Sequence, residues 1–259
     1  MLERIQVGEP GATSRLVESL ACDGIALLGG VADADTLLTV ARSFATVVAH
    51  RDSRPDGVTM LVDHGLPRSS SGFAGFTSRE LAPHTDRSSI ERPPGLLLTA
   101  CGRPAETGGE CVVIDGAAVY DDLAEREPEA LQALATPRSA LFGGAAGYLG
   151  SIFAVQPEGR VHVRLRLDEL ATFSPAPTHW LATLRTVLDR QALTVALHAG
   201  EGYVLDNRRW LHGRRAFTGS RVLYRVTADP LPRLGIPTGF LPGNQVQPPS
   251  LTEYRSCAS

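Results

Sequence analysis

Short strand-like runs broken by Gly and Pro turns recur along this chain, and no linker long enough to divide it separates them. Gly24 to Leu28 reads as a strand stopped by Gly29-Gly30. Gly95 to Cys101 is an apolar run of buried-strand type, and Thr107-Gly108-Gly109 reverses the chain into Cys111-Val112-Val113-Ile114. Val161 to Leu167 alternates apolar and polar residues strictly. Leu193 to Leu197, Tyr203 to Leu205 and Arg221 to Thr227 complete the set. Helical periodicity is confined to fewer places: Ser14 to Cys22, a helix capped by Asp33 or Asp35 with Leu37, Leu38, Ala41, Phe44 and Val48 in register, Ala117 to Ala135 with a break near Pro128, and Pro175 to Arg190. Many short strands with a few helices set early and inserted predict a mainly β protein with flanking helices. The expected core is a β-barrel or jelly roll, folded as one domain over 1–259.

The stretch from Arg51 to Pro83 breaks this rhythm. It is rich in Gly, Ser, Pro and Arg and has little periodicity, and a structureless segment of that length inside a compact domain is commonly a functional loop. Because it runs directly into His84, an active-site lid near 51–83 is expected.

Composition excludes several function classes. A net charge of −3 gives no electrostatic case for nucleic acid or an anionic membrane surface. All 25 basic residues are Arg, so a lysine Schiff base or lysine general base is impossible. Cys22, Cys101, Cys111 and Cys257 are scattered without a CxxC pair, which argues against a disulfide framework or zinc knuckle and for reduced thiols. The N-terminal residues lack a signal-peptide pattern, and no apolar run approaches the roughly 20 residues that span a bilayer. A soluble cytoplasmic protein acting on a small molecule, with room for homo-oligomerisation, is the expectation.

The chemistry concentrates in His84-Thr85-Asp86 and, far downstream, His212. On an extended strand, residues two apart point to the same side, so His84 and Asp86 can share a face. One distant imidazole then completes a 2-His-1-carboxylate set, which holds one face of iron(II) and leaves the other open. Any of these residues alone reads equally well as a satisfied interior histidine or a turn aspartate. His212 is placed just past a Gly-flanked strand, in the polar run Asp206-Asn207-Arg208-Arg209-Trp210-Leu211-His212-Gly213-Arg214. His50, His64, His162, His179 and His198 lack a carboxylate at strand spacing in comparable context. Arg221 and Arg225, four apart on the last strand, project from one face, and a planar guanidinium fork suits a carboxylate. A solvent-exposed strand face is the competing reading.

Taken in order, His84-Thr85-Asp86, Arg92-Pro93-Pro94, Thr107-Gly108-Gly109-Glu110, Asp206-Asn207-Arg208 and His212-Gly213-Arg214 with Arg221 resemble the TauD/TfdA (taurine dioxygenase and clavaminate synthase-like) family of iron(II)- and 2-oxoglutarate-dependent oxygenases. The resemblance covers roughly residues 75 to 228, and the first 70 residues carry little of it. It implies a double-stranded β-helix core, iron(II) held by His84, Asp86 and His212, and 2-oxoglutarate and oxygen as co-substrates. It implies Arg221 as the anchor of the far 2-oxoglutarate carboxylate and Arg225 as the contact of an anionic substrate group, the two roles being exchangeable. Thr99 and Cys111 are the further candidates for the 2-oxoglutarate pocket, and Arg87 and Ser88 for the substrate. Cys111 departs from the family, which often has a Thr there, and a thiol is the weaker hydrogen-bond partner. With Asp86 present, halogenation is not expected, because halogenating relatives give up the carboxylate.

The implied reaction is hydroxylation of an unactivated C–H bond of a small polar or anionic molecule, such as an amino acid or specialised-metabolite intermediate, with release of succinate and carbon dioxide. Desaturation or cyclisation by the same cofactors, a cupin-type metalloenzyme without 2-oxoglutarate, and a catalytically silent jelly-roll binding protein stand as alternatives.

Overall fold

The structure is a computed structural model that describes residues 3–65 and 72–243. Cys257 and the Arg68 and Ser69–Ser71 part of the expected lid lie outside the described residues. Two sheets dominate. The larger has the order Arg4–Gln6, Ile25–Gly29, Gly202–Asp206, Leu96–Arg103, Val222–Pro230 and Ala45–Val47, with Thr59–Leu61 also paired to Val222–Pro230. The smaller has the order Leu193–Val195, Cys111–Asp115, Trp210–Arg214 and Leu81–His84. All pairings are antiparallel except that of Arg4–Gln6 with Ile25–Gly29.

Side-chain alternation explains how the layers stack. Ile25, Leu27, Leu97, Cys101, Tyr203, Leu205 and Leu223 of the large sheet meet Cys111, Val113, Val195 and Trp210 of the small sheet in one buried cluster. The intervening residues of the large sheet (Ala26, Leu28, Leu96, Leu98, Val204 and Val226) face the opposite way, onto the helices Ala12–Asp23 and Ala34–Phe44. On the outer side of the small sheet, Ile114 and Leu211 pack under the inserted helices Gly116–Arg126, Pro128–Leu134 and Pro175–Gln191. This is the mainly β architecture with flanking helices read from the pattern.

Local chemistry sets the element ends. The Asp33 carboxylate accepts from the Thr36 amide at 2.8 Å and starts its helix, as expected. The break at Pro128 also falls where it was read, because proline supplies no amide and sits at the first position of the next helix. Gly24 ends the first helix at φ 69°, and a Cβ there would lie 3.1 Å from the Trp210 indole, whose Nε1 donates to the Asp23 carbonyl.

Two expectations are corrected. The alternating run Val161–Leu167 is a strand only over Val161–Val163, paired with Phe153–Val155. Beyond it, the amide of Arg164 goes to the Ile152 carbonyl and that of Leu165 to the Thr85 hydroxyl, so no ladder continues. Nor is 51–83 uniformly irregular: Thr59–Leu61 is part of the large sheet and Leu81–His84 part of the small one.

Candidate metal centre

His84, Asp86 and His212 each offer a ligand atom, and these atoms all lie within 4.8 Å of one another. Two different devices bring them there. His84 ends the strand Leu81–His84 and stands directly opposite His212 in the antiparallel register, with ring centroids 4.3 Å apart. His212 lies inside the strand Trp210–Arg214, between Leu81–His84 and Cys111–Asp115, rather than just past a strand as its flanking glycine implied. Gly213 makes this approach possible, since a Cβ there would sit 2.6 Å from the Leu81 carbonyl oxygen.

Asp86 does not share a strand face with His84. The strand stops at His84, and Asp86 belongs to the turn that follows. Asn207 holds it instead: its Oδ1 accepts from the Asp86 amide at 2.7 Å, and its Nδ2 donates to the carbonyls of Asp86 and Pro94, both at 3.0 Å. Thr85 anchors the other side by donating its amide to Leu165 at 2.9 Å and accepting the Leu165 amide on its hydroxyl at 3.2 Å. The turn thus presents the carboxylate through tertiary bonds, and the two-residue spacing in sequence has a different cause from the one expected.

Electrostatics fit a cation. Burial opposes ionisation of Asp86, but Arg225, His212 and His84 outweigh it and hold the carboxyl at about 2. Burial pushes the imidazoles of His84 and His212 down, so both favour the neutral, ligating form. His84 Nδ1 lies 3.0 Å from the Ala82 carbonyl, an arrangement that leaves Nε2 as a lone-pair donor. Asp86 Oδ2 and His212 Nδ1 are buried with no hydrogen-bond partner among the described residues. Buried polar atoms without partners are costly, and a divalent cation would satisfy them.

Arg225 donates to Asp86 Oδ1 at 3.4 Å, and its Nε is buried without a partner. Arg221 precedes the strand Val222–Pro230 by one residue, next to a register shift between Val222 and Leu223. It is buried, and its Nη2 donates to the Gly109 carbonyl at 2.9 Å and approaches Cys111 Sγ at 3.7 Å. Thr99 is opposite both Arg225 and Tyr203 in register, and is buried. The buried Tyr203 hydroxyl is close enough to Thr99, Cys111 and Arg221 to feel all three, and so lies between the two arginine environments. Arg87, the residue after Asp86, takes a left-handed φ of 55° and donates to the Ala49 carbonyl at 2.9 Å. Ser88 is buried in the same turn.

Sequence reasoning missed five residues. Asn207 was legible as part of a motif but not in its role, and Gly213 and Tyr203 likewise act through tertiary contacts. His50, set aside for want of a comparable context, has Asp52 two residues on, with its Nδ1 3.4 Å from that carboxylate, and lies close enough to Arg225 and Asp86 to feel both charges. Arg166, bonded to Asp168 at 2.7 Å, is close enough to lower the His84 pKa. Neither carried a sequence signal, because both are brought in by loops.

Residues 4–227 match the family described as taurine catabolism dioxygenase TauD, TfdA family. The chain belongs to the TauD/TfdA family. The match reaches almost to the N-terminus, well beyond the stretch from about residue 75 that carries the motifs. Among characterised relatives, human gamma-butyrobetaine dioxygenase is 26% identical over 168 residues, 58% of this chain and 43% of that protein. Rat mitochondrial trimethyllysine dioxygenase is 29% identical over 60% of this chain and 41% of its own length. Uridine-5'-phosphate dioxygenase of Amycolatopsis sp is 31% identical over 55% of this chain and 66% of its own. The chain therefore aligns with about two fifths of the length of the first two relatives. The fold is that of asparagine oxygenase, solved with Fe(II), 3-hydroxyasparagine and succinate (TM-score 0.62, 17% identity, 83% of this chain and 77% of that one). It is also that of PvcB, an Fe, alpha-ketoglutarate dependent oxygenase (TM-score 0.65, 21% identity, 86% and 81%). No helix among the described residues is long and apolar enough to cross a membrane.

Proposed function

We propose that this chain is an iron(II)- and 2-oxoglutarate-dependent oxygenase that hydroxylates an unactivated C–H bond of a small polar or anionic molecule. The observation that carries the proposal is the convergence of His84, Asp86 and His212 within 4.8 Å around buried ligand atoms that have no protein partner. These three residues would hold one face of the metal. Iron with 2-oxoglutarate supplies the activation of oxygen, with succinate and carbon dioxide as co-products.

The two arginines divide by position. Arg225 touches a ligand carboxylate, whereas Arg221 lies beside Gly109 and Cys111 and keeps donors other than Nη2 free. A co-substrate chelated at one end needs its second carboxylate held away from the metal, which favours Arg221 for 2-oxoglutarate, with Thr99 and Cys111 lining the same interior. With a cation on Asp86 Oδ2, Oδ1 would still accept from Arg225 Nη1, and the Arg225 Nε, which has no partner among the described residues, would be left for a substrate anion. Arg87 and Ser88 in the following turn, with His50 and Arg166 nearby, add positive and polar groups on that side. The relatives above are named for charged small molecules, a betaine, a methylated amino acid and a nucleotide, which supports this substrate class. The Arg51–Pro83 segment would act as the lid, with Thr59–Leu61 fixing it to the sheet beside Arg225.

An anaerobic visible spectrum of the protein with iron(II) and 2-oxoglutarate tests this. A metal-to-ligand charge-transfer band is expected in the wild type and should be lost in Asp86→Ala. Absence of the band in folded wild-type protein would overturn the proposal. Succinate release across a panel of anionic and zwitterionic substrates then identifies the class.

A further inference from the structure

The chain leaving Asp86 lines, over Glu91–Pro93, an open cavity of about 590 Å³. None of His84, Asp86, His212, Arg221 or Arg225 lines it. Arg92, Arg138, Arg164 and Arg208 do, against a single lining carboxylate, Glu91. Such an excess of cations is unusual in a chain whose net charge is −3.

Among the described residues only Arg208 of these four has an ion pair, a long one. Arg164 stacks 4.1 Å over the Tyr148 ring and donates only to main-chain carbonyls, those of Ser88, Ile90 and Glu91. Burial with no carboxylate beside it pulls its pKa down to about 10, so its charge is uncompensated. The Arg208 guanidinium donates to the Pro93 carbonyl at 3.0 Å and the Thr238 hydroxyl at 3.1 Å and lies 4.0 Å from the Asp229 carboxylate, while the Asp206 carboxylate accepts from the Arg208 amide at 2.8 Å. Arg92 and Arg138 make no hydrogen bond or ion pair among the described residues and are exposed. Arg138 also holds a left-handed φ of 58°, a conformation that normally selects Gly or Asn in a turn and is tolerated elsewhere mainly where a site requires it. On the rim, Leu149 and Val155 are 41% and 66% exposed, two of the few large apolar side chains the protein shows to solvent.

We propose that this cavity is a second anion site, separate from the metal centre, which takes a small organic anion with two or more phosphate or carboxylate groups and an apolar body. The acidic groups meet Arg92, Arg138 and Arg164, with the Arg208 charge behind them, and the body lies on Leu149 and Val155. Planar guanidiniums fixed by stacking and by carbonyl bonds are preorganised for such forked contacts. The site goes beyond the oxygenase reading and does not depend on it.

The test is calorimetric titration of the full chain at constant ionic strength with inorganic pyrophosphate and, separately, with citrate. The wild type, an Arg92→Ser/Arg138→Ser double variant and Arg221→Ala are compared. Arg92 and Arg138 have no partners to lose, so an unchanged melting temperature is expected and establishes that the double variant is folded. Saturable binding of at least one probe is expected, weakened about tenfold or more in the double variant and unchanged in Arg221→Ala. Pyrophosphate alone binding identifies a phosphate ligand, and citrate alone a polycarboxylate. Failure of both probes to bind, binding indifferent to the double substitution, or binding lost in Arg221→Ala would each overturn the proposal. The charge-transfer band, read in parallel, reports the metal centre independently.

Discussion

The two sides of the candidate metal centre are built on different principles. His84 and His212 face each other across an antiparallel strand pair, so their separation is set by the ladder and by the absence of a side chain at Gly213. Asp86 sits in a turn and owes its place to two hydrogen bonds with one distant side chain, Asn207, which is itself tied to the Pro94 carbonyl, and to the Thr85–Leu165 contacts. The histidine side is held by a sheet that the whole fold maintains. The carboxylate side is held by a few side chains and is the easier one to perturb without unfolding the protein.

That contrast can be broken most severely at the ligands. His212→Ala and Asp86→Ala should each abolish iron(II) binding and succinate formation, read by anaerobic titration and turnover. Equal residual iron affinity in both variants would mean that the metal lies elsewhere. A step down are the supports. Gly213→Ala forces a methyl group against the Leu81 carbonyl, parts the histidines and should cost about 1–3 kcal/mol of stability as well as iron affinity. Asn207→Ala leaves the Asp86 amide and carbonyl and the Pro94 carbonyl without their partner. It should lower iron affinity by about 10–100-fold, the usual effect of removing a group that orients a ligand, while the strands stay intact. If Asn207→Ala instead unfolds the protein as readily as Gly213→Ala, the two sides are not mechanically distinct.

The same division marks what was legible in the sequence. Periodicity and turn residues exposed the strands around Leu96, Cys111, Gly202 and Val222 and the helices at Asp33 and Pro128, because those elements follow from local pattern and burial. His84, Asp86 and His212 were named together from the sequence and lie together in the fold, but the reason offered for Asp86 was wrong. Strand spacing is a local rule, and Asp86 is placed by Asn207, 121 residues away, which no local rule can reach. His50 and Arg166 stayed hidden for the same reason, and so did the arginine cavity, whose four cations come from separate segments.

Within the interior, Arg221 and Arg225 sharpen the comparison further. Arg221→Ala should raise the apparent KM for 2-oxoglutarate by about 10²-fold or more, since a charged partner of the co-substrate is removed. Arg225→Ala should act mainly on the KM of the organic substrate. A reversed pattern assigns the 2-oxoglutarate carboxylate to Arg225 instead.

The smallest effect expected is one of pH. Burial, with Arg208 close by, pulls the His162 pKa down to about 4 from its ordinary value of 6.5. A histidine whose folded pKa is depressed binds its proton more readily in the unfolded chain. Between those two values the unfolded state therefore holds more protons than the folded one, and stability rises with pH across the window. The contribution is fully present above about 6.5 and is lost as pH falls towards 4. His84 and His212 are depressed in the same direction, so the metal-free protein should show a steep acid limb of which His162 is one part. Chemical denaturation of the metal-free protein at intervals from pH 4 to 7 should give a shallower slope in His162→Gln than in the wild type. Iron(II) should keep or steepen what remains at the acid end, because ligation holds His84 and His212 unprotonated in the folded state while the unfolded chain still takes up protons. A slope unchanged in both His162→Gln and the iron-loaded protein would place the acid sensitivity outside these imidazoles.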